Sequence, residues 1–177
     1  MAVLMVLVTL PVQLEFVRRG EENSITVPMM NLFLPLLGAL WGIFALQDVL
    51  EEAGGELYLT YHRSRKYWGI IRQGRFFLLY AAVAAVLCLV IGAIVGYSFF
   101  PLHFLFYLCQ GYFLMGMGFC VMTVTGHAND ALTALGLYVC AAILFSGAEK
   151  VDWLYLIGKL LLGSGLFALG QLRLEKR

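Results

Sequence analysis

The stretch from Phe76 to Tyr97 reads FFLLYAAVAAVLCLVIGAIVGY and contains no charged side chain. A helix that crosses the hydrocarbon core of a bilayer needs about 20 mostly apolar residues. The apolar residues of this stretch are continuous, whereas a strand of a membrane β-barrel alternates apolar and polar positions. The stretch therefore predicts a transmembrane helix.

The composition of the whole chain agrees with a membrane protein. Of its 177 residues, 62% are hydrophobic and 13% are charged, whereas about a quarter of the residues in a soluble domain are charged. A surface with so little charge suits lipid better than water. The net charge of +1 gives no global field that would attract nucleic acid, so we expect no nucleic acid among the partners.

Six segments approach the length of a spanning helix, which predicts an all-α, polytopic membrane protein with a single transmembrane domain over residues 1–177. These segments are Met1–Val17, Pro28–Leu46, Phe76–Tyr97, Leu102–Val124, Ala131–Phe145 and Trp153–Leu169. The first is short and partly polar. If it crosses the bilayer the protein has six spans, and if it lies in the interface the protein has five; we expect six. The absence of a basic region before it and of a small-residue cleavage site after it favours a retained span over a removed signal peptide.

Lysine and arginine cluster in two places, within residues 63–75 and within residues 173–177. Four predicted spans separate the clusters, so both lie on the same side of the membrane. The positive-inside rule makes that side the cytoplasm. We therefore expect a cytoplasmic C-terminus in an integral membrane protein, with the prokaryotic inner membrane as the plainest location.

The longest predicted cytoplasmic stretch, about residues 48–75, begins acidic and ends basic. Gly54 and Gly55 allow a sharp turn after the second span. Leu57, Tyr58 and Tyr61 have the spacing of one apolar helical face. The pattern predicts a short helix that projects into the cytoplasm between spans two and three, and an ordinary solvated loop is the alternative.

The sequence Glu51-Glu52-Ala53-Gly54-Gly55-Glu56-Leu57, followed by Ser64-Arg65 and a long span, resembles the ABC-2 type transporter permease family. The resemblance implies the transmembrane permease subunit of an exporter, whose coupling helix docks into a separate ATPase subunit. The implied docking residues are Glu51, Glu52, Gly54, Glu56, Leu57, Tyr58 and Tyr61. ATP and Mg²⁺ would bind to that partner, because this chain has no GxxxxGK[ST] phosphate loop. A second permease copy, or a related permease, would complete the pathway for an amphipathic substrate such as a peptide, a lipid or a drug.

Two other classes of function stay open. A small integral membrane enzyme would use polar residues from His62 to Arg75 on a lipid headgroup, and an accessory scaffold would have no transport role. No HExxH motif, GxSxG motif or carboxylate pair lies within a span, so we expect no catalytic residue. Each cysteine lies singly in an apolar run and is predicted to be a small buried hydrophobe, with neither a disulfide nor a metal or cofactor site. The four are Cys88, Cys109, Cys120 and Cys140.

A lysine lies within the sixth predicted span. Lys159 follows Trp153 by six residues, which places it about 9 Å along the helix at 1.5 Å per residue. A charge within the membrane is costly, and such residues are commonly functional. The sequence leaves two alternatives: the amine pairs with Glu15 or Asp152, or it snorkels to the outer headgroups.

Two local expectations concern helix ends and helix packing. Asn129 or Asp130 is predicted to cap the fifth spanning helix. Gly111, Gly116 and Gly118 in the fourth span permit close approach of helices, and we expect that packing to occur within one chain.

Overall fold

A computed structural model describes residues 26–51, 67–95, 100–145 and 153–176. Five α-helices follow one another within these ranges, which confirms the all-α prediction for the described part of the chain. They are α1 (Thr26–Leu50), α2 (Arg72–Val95), α3 (Phe100–Thr125), α4 (Ala128–Phe145) and α5 (Trp153–Lys176). In order, they correspond to the second to sixth predicted spans. The first predicted span, Met1–Val17, lies outside the described residues.

Among the described residues, three helical segments are long and apolar enough to cross a membrane. They are Gly69–Val90, Phe104–Thr125 and Trp153–Lys176, and a shorter apolar helix covers Leu34–Gln47. The outer faces of α2 and α5 expose large apolar side chains, among them Leu78, Leu79, Leu154 and Leu161. Extended apolar surface of this kind is typical of contact with lipid or with another protein.

Helix α3 is the centre of the bundle, because it packs against all four other helices. Helix α1 runs parallel to α3, since Gly42 lies against Met115 and Ile43 lies against Gly118. Helix α5 is also parallel to α3. Lys159 contacts Gln110 and the later residue Gly170 contacts the later residue Thr123, so the contacts advance in the same direction along both helices.

Helices α2 and α4 run in the opposite direction to α3. On α2, Phe77 contacts Tyr112, and Tyr80 further along contacts the earlier residue Tyr107. Helix α4 leaves α3 through the two-residue connection 126–127, where Gly126 adopts a positive φ of 86°. The directions therefore alternate along the described chain, as they do in successive membrane crossings joined by short connections.

Small residues allow a close approach between α3 and α5. A Cβ atom at Gly116 would lie 2.9 Å from the carbonyl oxygen of Gly163, and one at Gly163 would lie 2.8 Å from Cδ1 of Tyr112. Helices in a membrane associate through such van der Waals packing, since lipid supplies no hydrophobic drive between them. The predicted packing of the α3 glycines within one chain is confirmed.

The described residues of the two basic clusters lie at the same end of the bundle. Gln171 near the end of α5 contacts Ile70 just before α2, and Val49 near the end of α1 packs with Leu174. These contacts bring Arg72 and Arg75 to the same end as Arg173 and Lys176. We call this the basic end of the bundle.

Candidate functional site

The predicted docking segment leaves α1 at the basic end, and its first residue already has a structural role. A carboxylate oxygen of Glu51 accepts a hydrogen bond from the backbone N–H of Ala128, the first residue of α4. Its other oxygen accepts a hydrogen bond of 2.9 Å from Nε2 of Gln47. A carboxylate at a helix N-terminus satisfies an otherwise unpaired N–H and interacts favourably with the helix dipole. Glu51, which is exposed, therefore ties the end of α1 to the start of α4.

The cap of α4 differs from the sequence expectation. Asn129 and Asp130 lie within the first turn of α4. The first amide of α4 instead donates its described hydrogen bond to the Glu51 carboxylate. Asp130 still places a negative charge near the positive end of the helix dipole. The prediction of a local cap missed a partner that lies 77 positions earlier in the chain.

A π-helical turn, Tyr67–Ile71, precedes α2 and contains a break in the regular helix at Gly69 (φ −78°, ψ −111°). The backbone N–H of Ile70 donates a hydrogen bond of 3.3 Å to Oε1 of Gln171 on α5. A Cβ atom at Gly69 would clash with this same oxygen. Glycine is therefore needed where the turn meets α5, and Gln171 accepts from a backbone group beside the break.

Tyr67 and Arg75 hold the outside of this turn together. Nη1 of Arg75 donates a hydrogen bond of 2.9 Å to the hydroxyl of Tyr67, and the guanidinium carbon lies 5.2 Å from the centre of the tyrosine ring. This geometry combines a hydrogen bond with a cation–π contact. Aromatic and basic side chains of this kind suit the headgroup layer of a membrane.

Most of the predicted docking residues lie outside the described part of the chain. They are Glu52, Gly54, Glu56, Leu57, Tyr58 and Tyr61. The structure therefore shows how the segment 52–66 is attached at its two ends. Glu51 attaches the first end to α4, and the π-helical turn attaches the second end to α5.

A buried amide joins α2 to α1 near the basic end. Gln73 is 1% exposed, and its Nε2 donates a hydrogen bond of 2.8 Å to the carbonyl oxygen of Gly42. Its Oε1 has no hydrogen-bond partner within the described ranges. A Cβ atom at Gly42 would lie 2.8 Å from this oxygen, so the glycine makes room for the amide.

A second polar cluster lies deeper in the bundle, around Lys159. Its Nζ donates hydrogen bonds to Oε1 of Gln110 on α3 and, at 3.2 Å, to the hydroxyl of Tyr138 on α4. Nε2 of Gln110 donates to the same hydroxyl at 3.3 Å. We call these three residues the Lys159 cluster. They form a closed triangle of hydrogen bonds between α3, α4 and α5.

Aromatic rings surround the ammonium group. The Nζ atom lies 4.3 Å from the ring centre of Tyr155 and 5.8 Å from that of Phe113. Such contacts stabilise a cation most strongly where water is excluded, and Lys159 is 8% exposed. The side chain turns into the bundle rather than outward toward the headgroups. Glu15 and Asp152, the partners considered from the sequence, lie outside the described residues.

Gln110 and Tyr138 were missed by sequence reasoning. Gln110 is the only carboxamide side chain within the fourth predicted span, which is a usable signal because polar groups at membrane depth are costly. Tyr138 gave no signal of its own, since tyrosine is an ordinary residue of apolar segments. The three residues come together only because α4 and α5 flank α3.

The cysteines are all free thiols, and no disulfide links them. Cys88 and Cys109 are buried, as predicted, whereas Cys140 is exposed on α4, so the prediction of a buried thiol is wrong for Cys140. Among the described residues, no group of three or more His, Cys, Asp or Glu side chains could hold a metal ion.

No family model, curated protein or solved structure matches the chain.

Proposed function

We propose that this chain is the six-span transmembrane permease subunit of an ABC exporter, which moves an amphipathic substrate with energy from a separate ATPase subunit. The observation that carries the proposal is the attachment of segment 52–66 to other helices at both of its ends. Glu51 before the segment binds the first amide of α4, and Ile70 after it binds Gln171 of α5. A partner that displaced this segment would therefore affect α4 and α5 as well as α1 and α2, the two helices that the segment connects.

The route of the motion follows from these contacts. Displacement of the segment would act on α1 and α2 through the chain itself. It would act on α4 through the Glu51 carboxylate and on α5 through the Gln171 amide. Since α3 packs against all four of these helices, it would be the fixed element around which they shift. The partner can shift the helices only if it binds their two arrangements with different affinity. The ATP-bound and ATP-free states of the ATPase would supply this difference.

The docking surface and the partners follow from the same proposal. Glu52, Gly54, Glu56, Leu57, Tyr58 and Tyr61, together with Glu51, would contact the ATPase. ATP and Mg²⁺ would be bound by that subunit. A second permease copy or a related permease would complete the pathway, and the surrounding lipid would contact the exposed apolar faces of α2 and α5. The basic end would face the cytoplasm by the positive-inside rule.

Purification in mild detergent tests this proposal. The tagged full chain is expected to copurify with a P-loop ATPase, identified by mass spectrometry, and the eluate is expected to hydrolyse ATP. A chain that purifies alone and turns over a lipid substrate would support the membrane enzyme instead. A chain with neither a partner ATPase nor turnover would support the scaffold.

Two charge-changing variants test the docking segment. Glu52→Arg and Leu57→Asp are expected to abolish copurification of the ATPase while leaving the helical content of the chain unchanged. Glu22→Arg is the matched control for Glu52→Arg, because it makes the same charge reversal in residues 18–27, which connect the first two predicted spans on the side opposite to the docking segment. Copurification that is normal in both docking variants contradicts the role of the segment.

A further inference from the structure

We propose that the start of α2 binds an anionic phospholipid, with Arg75 as the ligand of its phosphate and the outer face of α2 as the surface for an acyl chain. The site consists of Arg75, the open surface at Gly74 and the exposed apolar side chains Ile71, Leu78 and Leu79. We call it the Arg75 site. The inference goes beyond the proposed function and does not depend on it.

Arg75 is an exposed cation within an apolar segment. It lies inside Gly69–Val90, which is long and apolar enough to cross a membrane. Ile71, four residues earlier, is 48% exposed, and Leu79, four residues later, is 53% exposed. Residues four positions apart are neighbours on one face of a helix. The guanidinium is therefore flanked by exposed apolar surface on both sides, and Ile71 lies about 6 Å closer to the basic end at 1.5 Å per residue.

A cation at such a position favours an anion from the membrane. Charged side chains within a membrane are costly unless they are paired, and none of the described carboxylates forms an ion pair with Arg75. The attraction between opposite charges is stronger in surroundings of low dielectric constant than in water. Basic side chains next to a membrane span are attracted to anionic lipid headgroups. A lipid phosphate therefore complements the charge of Arg75 at this depth.

Tyr67 holds the guanidinium in one orientation. Nη1 of Arg75 donates to its hydroxyl, and the guanidinium carbon lies near its ring centre. Arginine has five N–H donors in a planar fork, and the bond to Tyr67 uses one of those on Nη1. The edge formed by Nε and Nη2 can donate two parallel hydrogen bonds to a phosphate. A fork that is already oriented loses less conformational entropy when it binds.

Gly74 leaves room for the headgroup beside Arg75. Apart from the helix backbone and the chain neighbours, no atom lies within 4 Å of a Cβ atom at this position. Ile70 and Leu78, four residues before and after the glycine, are 51% and 69% exposed. The glycine therefore forms a notch between two protruding side chains. A phosphate in this notch lies next to the guanidinium, and its acyl chain continues along Leu78 and Leu79.

The exposed arginine on α5 lacks these features. Arg173 is followed toward the end of the helix by Glu175 and Lys176, whereas Arg75 has exposed apolar side chains on both sides. Within the described ranges, no aromatic ring contacts the Arg173 guanidinium. Arg173 therefore provides a comparison in which the charge is the same and the surroundings differ.

Photo-crosslinking tests the inference on the full chain, with any copurified subunits, in nanodiscs of phosphatidylcholine. The probes are phosphatidylglycerol and phosphatidylcholine that each carry a diazirine in one acyl chain, and the labelled residues are mapped by mass spectrometry. Labelling of α2 between Leu78 and Val86 is expected to be about fivefold stronger with the phosphatidylglycerol probe. Inorganic phosphate at millimolar concentration is expected to leave it unchanged, which distinguishes a lipid phosphate from a free anion.

Two variants with matched controls identify the site. Arg75→Gln is expected to lower labelling by phosphatidylglycerol to the level of phosphatidylcholine, whereas Arg173→Gln leaves it unchanged. Gly74→Trp fills the notch and retains the guanidinium, and it is expected to lower the labelling as well. Its control is Gly136→Trp on α4, where a Cβ atom also has nothing within 4 Å. Gly74→Trp decides the question if Arg75→Gln fails to fold.

Equal labelling of α2 by the two probes would overturn the inference, as would equal effects of Arg75→Gln and Arg173→Gln, which would show a general attraction to the basic end. Suppression by inorganic phosphate would show a site for a free anion and would overturn the assignment to a lipid. The measurement uses no ATP, so loss of this site leaves the copurification of an ATPase as a separate question.

Discussion

Substitution of Gly163 by alanine tests the central packing contact between α3 and α5. A Cβ atom at this position would lie 2.8 Å from Cδ1 of Tyr112 and 3.2 Å from Cα of Phe113, whereas carbon atoms in good contact are about 3.5–4.0 Å apart. The tyrosine ring can rotate, but the Phe113 backbone cannot, so the helices must separate slightly. Overpacking of this kind costs about 1–3 kcal/mol.

Gly165→Ala is the matched control, because nothing lies within 4 Å of a Cβ atom at that position. Both variants gain the higher helix propensity of alanine, worth up to about 1 kcal/mol, so their difference isolates the packing term. The free energy of unfolding, measured by titration with sodium dodecyl sulfate in mixed micelles and far-ultraviolet circular dichroism, is expected to be about 1–3 kcal/mol lower for Gly163→Ala than for Gly165→Ala. Equal stability of the two variants would refute the close approach of α3 and α5.

Two further substitutions test the polar contacts at the basic end. Glu51→Ala removes the cap of α4, which stabilises the helix by about 1 kcal/mol. The variant is expected to exchange hydrogen faster at the first amides of α4 but not at those of α2. Unchanged exchange would contradict the capping role. Gln73→Met removes a donor to an α1 carbonyl but also an Oε1 atom that has no hydrogen-bond partner among the described residues. The two effects nearly cancel, so stability is expected to change by less than about 1 kcal/mol, and a loss of several kcal/mol would show that the oxygen is bonded.

The positions of the helices could be predicted because lipid imposes a long, continuous apolar pattern on each one. The ends were less predictable. Helix α5 continues beyond Leu169, the predicted end of the last span, to Lys176, because Gln171 and Leu174 pack against other helices and are buried. Helix α2 begins at Arg72, before the predicted start at Phe76, since a polar residue such as Gln73 can be buried when a neighbouring carbonyl accepts its hydrogen bond.

The polar contacts were the least predictable part of the molecule. Lys159 was conspicuous in the sequence because a charge in an apolar span is rare. Its partner Gln110 lies 49 positions away. The two residues meet because of the register between α3 and α5, which depends on glycine packing rather than on any local sequence pattern. The same reasoning applies to Glu51. The resemblance implied that Glu51 is a docking residue, and its described contact is with the start of α4.

Helix α5 carries both Gln171 and Lys159, with the tight contact at Gly163 between them. If that contact acts as a pivot, the arm to Gln171 is about 12 Å long and the arm to Lys159 about 6 Å, at 1.5 Å per residue. A shift of about 2 Å at Gln171 would then move Lys159 by about 1 Å in the opposite direction, which is enough to break a hydrogen bond of 3.2 Å to Tyr138.

Spin labels test this lever on the chain purified with the proposed ATPase subunit. One pair joins the exposed positions Leu137 on α4 and Leu154 on α5, and a second joins Leu137 to Leu172 on α5. On addition of ATP, we expect the two distances measured by double electron–electron resonance to change in opposite senses, because the labels on α5 lie on either side of Gly163. Changes of the same sign would show that α5 moves sideways as a whole relative to α4, and the contact at Gly163 would then not act as a pivot.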